Sequence, residues 1–356
     1  MSTLPETMKA AVLMGRNHLE IKEVATPEPG PMEVLLKVES CACCGTDVAL
    51  MNKPFAGQPP YGDFIPGHEY SGTVAALGDG VDEFNIGDRV AVEAHLGCMR
   101  CKNCRLGHYT ACLNYGTVKH RANGMTANGG FAQYVVNNIN TVHPIPEHVE
   151  FNEAAVVTNL GCVLYGFETV GGYVAGQSVA ILGPGPIGLI ATQVAKALGA
   201  EKVYLTGTRA SRLNMGAERG ADRLININEE DPVQVVLTET GGVGVDLAVD
   251  AAGVKSTPMQ AIKMTRPMGK ILMLGIPHEP VVVDLEDLLM KNKSIHTVRG
   301  EGRSNVARAI SLLSTGKISL KPYLTHTFPL GQIDDAFETF VKRIDGAVKV
   351  IVKSNE

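Results

Sequence analysis

The pattern of hydrophobic and polar positions divides the chain into two parts. Residues 8 to about 155 contain short apolar runs, such as those at 10–14, 33–38 and 89–92. Turn signals rich in Gly and Pro separate these runs, at 29–31, 66–67, 78–80 and 87–88. Short runs with frequent turns are typical of β-strands. This part is therefore predicted to be an irregular, barrel-like β domain.

From about residue 160 the pattern predicts strands and helices in alternation. The apolar run at 178–182 indicates a buried strand, and helical spacing of apolar residues over 187–198 predicts a helix that ends at Gly199. Later runs at 202–206, 245–250 and 270–274 predict further strands, so we expect a doubly wound parallel sheet. After about residue 298 we predict one helix, at 305–315, and a terminal strand, at 347–352, that returns to the first domain.

Length and composition fit an ordinary globular protein. The chain has 356 residues, which favours two domains, and 45% of them are hydrophobic while 19% are charged. The net charge of −5 argues against nucleic acid or an anionic membrane as the main partner. No apolar run reaches about 18 residues, which predicts no membrane span. The start, residues 1–6, lacks a basic region followed by an apolar one, which predicts no secretory signal and a cytoplasmic location.

A glycine-rich segment between a predicted strand and a predicted helix indicates a dinucleotide site. Gly183-Pro184-Gly185-Pro186-Ile187-Gly188 has the spacing G-x-G-x-x-G. In this spacing the first Gly permits a tight turn, the second lets the backbone approach a pyrophosphate, and the third lets helix and strand pack closely. The helix N-terminus then holds the anion. The alternative is a glycine-rich turn without a ligand, and the strand–turn–helix context favours the cofactor.

The end of the second predicted strand bears on the choice of cofactor. NAD sites usually carry Asp or Glu there to bind the ribose hydroxyls, and this chain has Gly207. A small residue leaves room for a 2′-phosphate, which the Thr208 hydroxyl can bind and which Arg209 or Arg212 can pair with. The sequence therefore favours NADP, with NAD as the alternative. The alternative interpretation of Arg209 and Arg212 is that they are solvated charges at the start of a helix.

Four of the eight cysteines form a compact motif that indicates a structural metal site. Cys98, Cys101, Cys104 and Cys112 are close enough in sequence to supply four thiolates to one tetrahedral zinc ion. An iron–sulfur cluster is the alternative, but the bacterial ferredoxin motif places its last cysteine nearer and follows it with Pro. A site closed by four protein ligands has no open position for a substrate, so we expect it to stabilise this lobe.

A second candidate metal site lies nearer the N-terminus. Cys44-Gly45-Thr46-Asp47 and Gly67-His68-Glu69 each place a zinc-binding side chain beside polar groups. A single Cys is more often a buried apolar residue, and a single His is more often part of the core. Together with a dinucleotide motif, Cys44 and His68 are credible zinc ligands.

In these features the chain resembles the zinc-containing medium-chain alcohol dehydrogenase family. The resemblance rests on Cys44 to Asp47, on Gly67 to Gly72 with Gly78 and Val81, on the four-cysteine lobe, and on Gly183 to Gly188, in family order and spacing. It implies an α/β protein with a GroES-like β-barrel catalytic domain, residues 1–160 and 299–356, which includes a zinc lobe at about 95–115. A Rossmann domain occupies 161–298. It also implies an active site between the domains, two zinc ions per chain, and a homodimer or homotetramer.

The resemblance also implies roles for individual residues. Cys44 and His68 resemble the first two catalytic zinc ligands, and Thr46 resembles the hydroxyl that takes the substrate proton. Asp47 resembles the carboxylate that orients His68. Glu69 matches a carboxylate near the metal that some polyol dehydrogenases of the family use as a ligand.

Two positions depart from the family pattern. The third zinc ligand, usually Cys and sometimes Glu or Asp, aligns with Asn159, and a neutral amide is a poor zinc ligand. Glu69 could complete the site while Asn159 binds the metal-bound water; Asn159 could ligate through oxygen; or Cys162 could ligate from three residues away. We favour Glu69. The second departure is Ala49, which replaces a His that ends a proton relay in several relatives.

The resulting hypothesis is a zinc-dependent alcohol or polyol dehydrogenase. It would transfer hydride between NADP(H) and a secondary or cyclic alcohol, or the corresponding ketone. By family position, the pocket would include Phe55, Tyr61, Asn159 and Val163. Two alternatives stay open: a zinc-free quinone or enone reductase of the same superfamily, and a non-catalytic protein that zinc stabilises.

Overall fold

A computed structural model describes residues 4–277, 279–302 and 304–356. Residues 1–3 of the start, which bear on the secretory-signal prediction, lie outside the described residues. The chain forms two compact units: the first runs to Thr158 and resumes at Glu301–Glu356, and the second is Asn159–Gly300. None of the helices in the described ranges is both long and apolar enough to cross a membrane.

The described residues form the following strands and helices. The strands are β1 (Thr7–Gly15), β2 (His18–Ala25), β3 (Glu33–Ala42), β4 (Tyr70–Leu77), β5 (Arg89–Val92), β6 (His95–Gly97), β7 (Arg121–Ala122), β8 (Tyr134–Asn138), β9 (Val142–Pro144), β10 (Ser178–Leu182), β11 (Lys202–Gly207), β12 (Arg223–Asn226), β13 (Val245–Asp250), β14 (Thr265–Met273), β15 (Ser294–Thr297), β16 (Leu324–Pro329) and β17 (Lys349–Lys353). The helices are α1 (Gly45–Asn52), α2 (Lys102–Arg105), α3 (Phe151–Ala155), α4 (Val157–Thr169), α5 (Pro186–Ala197), α6 (Ala210–Ala217), α7 (Pro232–Glu239), α8 (Thr257–Met264), α9 (Leu285–Met290), α10 (Asn305–Ser314) and α11 (Ile333–Lys342).

The first unit is built on a mixed sheet with the order β16-β17-β3-β4-β5-β9, and β8 pairs with β3. The terminal strand β17 is antiparallel to β3, where Val352 pairs with Cys41, so the strand predicted at the C-terminus does return to the first unit. Separate two-stranded ladders join β1 with β2 and β6 with β7. Apolar side chains from these strands, including Leu36 and Val38, form one continuous core with Phe131, which lies between β7 and β8.

The prediction of a single helix after residue 298 is wrong, because α11 follows α10. Ile333, Ala336 and Phe337 of α11 are buried, and Phe340 packs against the same core. Their spacing of three, four and seven residues is the pattern of one helix face, so the signal was present in the sequence.

The second unit confirms the predicted doubly wound parallel sheet. Its strand order is β12-β11-β10-β13-β14-β15, and each neighbouring pair is parallel. The first strand of this unit, β10, lies in the middle of the sheet, and the chain then builds outward on either side of it. The order therefore reverses between β10 and β13, and in such sheets ligands bind beyond the carboxyl ends of the strands at this point.

Candidate functional site

Asp47 organises the candidate metal site in the first unit. It is fully buried at the start of α1, where Cys44 is the N-cap residue. Its Oδ2 accepts a hydrogen bond from the Cys44 backbone N–H at 3.0 Å. Its Oδ1 lies 3.0 Å from His68 Nδ1 and accepts from the Gly67 N–H at 3.3 Å. One carboxylate thus fixes both segments that carry the predicted ligands.

His68 directs its second ring nitrogen toward the other candidate ligands, because Asp47 engages Nδ1. Its Nε2 lies 3.9 Å from Glu69 Oε1. The ligand atoms of Cys44, His68 and Glu69 all lie within 4.8 Å of one another. Burial opposes the charged form of His68, but the charges of Asp47 and Cys44 and the hydrogen bond to Asp47 raise its pKa well above the usual value. His68 must lose this proton before it ligates a metal.

Glycines let the backbone beside His68 pack closely on its neighbours. Gly67 has φ +96°, and a Cβ there would lie 2.8 Å from both Cys41 Sγ and Phe131 Cδ2. A Cβ on Gly124 would lie 2.3 Å from the Gly67 carbonyl oxygen, and one on Gly129 only 2.0 Å from it. The backbone beside His68 is therefore packed so closely on the loop at 124–129 that positions 67, 124 and 129 have no room for a side chain.

Lys349 is a buried partner of Glu69 that the sequence reasoning missed. Its Nζ forms an ion pair with Glu69 Oε2 and donates to the Cys43 carbonyl oxygen at 3.2 Å. Burial disfavours the charged ammonium, but the charges of Glu69 and Cys44 raise the pKa of Lys349 above its usual value. One carboxylate oxygen of Glu69 thus pairs with Lys349, while the other faces His68.

A second buried ion pair, His95 with Glu301, also escaped the sequence reasoning. His95 Nδ1 lies 3.1 Å from Glu301 Oε2, and both side chains are buried. Burial opposes the charged form of Glu301, but the charges of His95 and, more weakly, His68 lower the pKa of this carboxyl. His95 lies on β6, whose partner strand β7 leads directly into the glycine loop that packs on Gly67.

Thr46 and Ala49 both lie on α1 and are half-buried. Of the predicted pocket residues in this unit, Phe55 is half-buried and Tyr61 is exposed. Asn159 and Cys162 belong to α4 in the second unit, where Asn159 is buried and Cys162 is half-buried. Val163, on the same helix, is fully buried. The choice among Glu69, Asn159 and Cys162 as third ligand stays a prediction.

The four cysteines of the lobe converge as their spacing predicts. The sulfurs of Cys98, Cys101, Cys104 and Cys112 lie within 4.8 Å of one another, and the thiols are free. Two of the sulfur pairs, Cys98 with Cys104 and Cys101 with Cys112, are separated by 4.0 Å. A tetrahedral site with zinc–sulfur bonds of about 2.3 Å places its sulfurs about 3.8 Å apart, so the lobe fits a zinc ion.

Backbone N–H groups stabilise thiolates in this lobe. Hydrogen bonds from the N–H groups of Arg100 and Cys101, with the Asn114 side chain, lower the pKa of Cys98 to about 6 despite some burial. The Asn114 Nδ2 lies 3.1 Å from the Cys98 sulfur. Burial and the neighbouring Cys101 thiol raise the pKa of Cys104 to about 12. Crowded thiols resist joint ionisation in this way until a cation balances their charge.

The glycine-rich loop of the second unit lies at the reversal point of the parallel sheet. Gly183 follows β10 with φ +99°, and a Cβ there would lie 2.7 Å from the Ala252 side chain, just beyond β13. Gly185 is the N-cap residue of α5, with Pro186 and Ile187 in its first turn. A Cβ on Gly188 would lie 1.9 Å from the Gly183 carbonyl oxygen, whereas the space around Gly185 is open. This is the geometry that admits a pyrophosphate.

The residues predicted to select the cofactor lie at the end of β11. Gly207 is its last residue and is buried, and its carbonyl oxygen accepts from the Ile227 N–H at 3.0 Å. Thr208 and Arg209 are exposed, and Arg212 is half-buried in α6. Asn228, which the sequence reasoning missed, donates to the Thr208 carbonyl oxygen at 3.1 Å.

Comparisons with known proteins agree with this architecture. Residues 30–147 match the alcohol dehydrogenase GroES-like domain, which confirms the predicted GroES-like fold, and residues 186–315 match the zinc-binding dehydrogenase family. The L-threonine 3-dehydrogenase of Idiomarina loihiensis is 34% identical, covering 96% of this chain and 98% of that protein. The sorbitol dehydrogenase of Bacillus subtilis is 31% identical, covering 99% of each. A Sinorhizobium meliloti structure, described as a zinc-binding dehydrogenase bound to NADP, superposes with a TM-score of 0.90 at 30% identity, covering 98% of this chain and 100% of that one.

Two single substitutions in the glycine loop should separate folding from cofactor binding. Gly188→Ala places a methyl against the Gly183 carbonyl oxygen, so the second unit should lose roughly 1–3 kcal/mol of stability. Gly185→Ala meets no atom within 4 Å and should melt like the wild type. It should nevertheless bind dinucleotide about tenfold or more weakly, because its methyl occupies the approach to the anion.

Calorimetry would measure the first effect and fluorescence titration with NADPH and NADH the second. Unchanged dinucleotide affinity in Gly185→Ala would contradict the assignment of this loop.

Proposed function

The chain belongs to the zinc-containing medium-chain dehydrogenase/reductase family, and from this premise we propose that it is a zinc-dependent alcohol or polyol dehydrogenase. The relatives named above are dehydrogenases that act on CH–OH groups. It transfers hydride between NADP(H) and a secondary or cyclic alcohol, or the corresponding ketone. The observation that carries the proposal is the cluster of Cys44, His68 and Glu69, whose ligand atoms all lie within 4.8 Å of one another. The named relatives support the substrate class, because the 3-hydroxyl of threonine and the inner hydroxyls of sorbitol are secondary alcohols.

In this proposal Cys44, His68 and Glu69 hold the catalytic zinc ion, and the four cysteines of the lobe hold a structural one. When bound, the zinc ion lowers the pKa of the substrate alcohol and the nicotinamide exchanges hydride with its carbon. Asp47 keeps His68 Nδ1 engaged, which leaves Nε2 for the metal. Lys349 holds one oxygen of Glu69 and leaves the other on the side of His68.

Thr46 takes the substrate proton in this scheme. It lies two residues after Cys44, the N-cap residue of α1, so the helix that begins beside this metal ligand carries the hydroxyl. Ala49 cannot pass the proton onward, because its side chain has no polar atom. The proton therefore leaves Thr46 by water, by a cofactor ribose hydroxyl or by another side chain.

Turnover with a panel of alcohols tests the function. We expect oxidation of secondary alcohols, polyols and L-threonine to exceed that of ethanol. We expect kcat/KM for NADP to exceed that for NAD roughly tenfold to hundredfold, because charge-assisted contacts to the 2′-phosphate contribute about 1.5–3 kcal/mol.

The panel requires protein whose zinc content has been measured. If protein with two zinc ions per chain oxidised none of the alcohols with either cofactor, the dehydrogenase would be the wrong proposal. If the metal analysis instead found one zinc ion per chain, it would favour the non-catalytic alternative. If it found none, it would favour the zinc-free reductase.

The third zinc ligand can be tested by metal analysis of matched variants. Glu69→Gln keeps the size of the side chain but removes the anionic oxygen, so it should reduce the zinc content from two ions to one. Cys101→Ser should remove the other ion, and the double variant should hold none. Two zinc ions and normal activity in Glu69→Gln would exclude Glu69 as a ligand and favour Asn159 or Cys162.

We also propose that the chain forms a homodimer, or a tetramer of such dimers, through the β15 edge of the second unit. β15 is the last strand of its sheet, and its residue Ile295 is 40% exposed. The neighbouring helix α9 has no buried residue, and Leu289 and Met290 are more than three-quarters exposed. A strand edge beside an apolar patch is typical of a surface that pairs with a second copy.

Light scattering would measure the oligomer. Leu289→Lys should shift the particle mass toward the monomer, whereas Val243→Lys, on another exposed turn of the same unit, should leave it unchanged. A particle mass equal to that of the monomer, measured for the wild type at micromolar concentration, would contradict this proposal.

A further inference from the structure

The space that an acidic cofactor-selecting residue would need beside Gly207 is filled by a proline. An ideal Cβ on Gly207 would lie 2.5 Å from both Cγ and Cδ of Pro184 and 3.4 Å from a methyl of Leu213. Carbon atoms in contact normally stay about 3.5–4.0 Å apart. Any side chain at position 207 would therefore overlap the Pro184 ring.

The backbone of Gly207 does not itself require glycine. Gly207 is not among the residues with positive φ, and it ends a regular strand. Its strand, β11, pairs with β10 and β12 in unbroken register, and Gly207 itself pairs with Asn226 of β12. Among the described neighbours of its Cβ position, the two nearest atoms both belong to Pro184. The constraint on residue 207 thus comes from another residue, 23 positions earlier in the chain.

Pro184 cannot turn aside as a flexible side chain could. Its Cδ is bonded to the backbone nitrogen, so the ring moves only with the loop itself. That loop is tied to β11, because the Gly183 N–H donates to the Thr206 carbonyl oxygen at 3.0 Å. The loop also packs closely on Ala252, since a Cβ on Gly183 would lie 2.7 Å from the Ala252 side chain. A side chain at position 207 would have to displace the segment that binds the pyrophosphate.

We infer that Pro184 is a specificity-determining residue of the dinucleotide site. Its ring excludes from position 207 the Asp or Glu that would bind the ribose hydroxyls of NAD. Pro184 thereby requires glycine at position 207, and the preference depends on that glycine. This inference rests on the proposed dinucleotide site and deepens its proposed preference for NADP.

The inference predicts that the effects of substitutions at the two positions are not additive. In Gly207→Asp alone, the Cβ overlaps the Pro184 ring, so the melting temperature should fall and both NADPH and NADH should bind more weakly. Pro184→Ala removes Cγ and Cδ and should keep the wild-type preference. In the double variant P184A/G207D the melting temperature should recover, and NADH should bind about tenfold more tightly than in Gly207→Asp alone.

Pro186 provides a matched control in the same loop. Its ring is not among the atoms nearest the Gly207 Cβ position, so P186A/G207D should show no recovery. A milder pair, G207A with and without P184A, tests the collision itself if the aspartate variants do not fold. The methyl should lower the melting temperature only when Pro184 is present.

Calorimetry and fluorescence titration with NADPH and NADH, on the zinc-loaded full-length protein, measure each of these variants. Additive effects, with Gly207→Asp alone stable and gaining NADH affinity as fully as the double variant, would overturn the inference. A wild type that binds NADH as tightly as NADPH would instead overturn only the proposed preference. The non-additivity of the melting temperatures would still decide whether Pro184 controls position 207.

Discussion

The candidate metal site depends on the buried carboxylate of Asp47. It accepts hydrogen bonds from the backbones of Cys44 and Gly67, and it engages the ring of His68. Those partners come from a helix N-terminus and from a loop more than 20 positions later, so one group fixes the distance between two ligands. Through its contact with Nδ1, this carboxylate also holds the imidazole in one orientation.

The second constraint is steric, and glycine provides it in each of the two units. Near His68, the carbonyl oxygen of Gly67 lies where Cβ atoms on Gly124 or Gly129 would be. In the second unit, the Gly183 carbonyl oxygen lies where a Cβ on Gly188 would be. In each case two backbones approach closely so that polar backbone groups can line the site. A substitution at these positions shifts the backbone, and the cost is therefore larger than that of a lost side-chain contact.

The sequence could predict the parts of this molecule that are local in the chain. β5, β10 and β13 have the predicted bounds, and the four cysteines of the lobe meet as their spacing implies. It could not predict Lys349 beside Glu69 or Glu301 beside His95, because these pairs are 280 and 206 positions apart. The same holds for Pro184 over Gly207. Sequence reasoning explained the glycine by the room it leaves for a phosphate, whereas the structure shows that the Pro184 ring occupies the place of a side chain at position 207.

The buried charges around Glu69 explain why a lysine belongs in this core. Asp47 and Glu69 bring two carboxylates into this core, and Lys349 supplies a buried ammonium that pairs with Glu69. Burial disfavours the ammonium, but the charges of Glu69 and Cys44 raise the pKa of Lys349 above its usual value. Without Lys349 the Glu69 carboxylate would be buried without its ion-pair partner, and removing one partner of a buried ion pair costs about 3–5 kcal/mol. The lysine thus holds one oxygen of Glu69 in place and leaves the other on the side of His68.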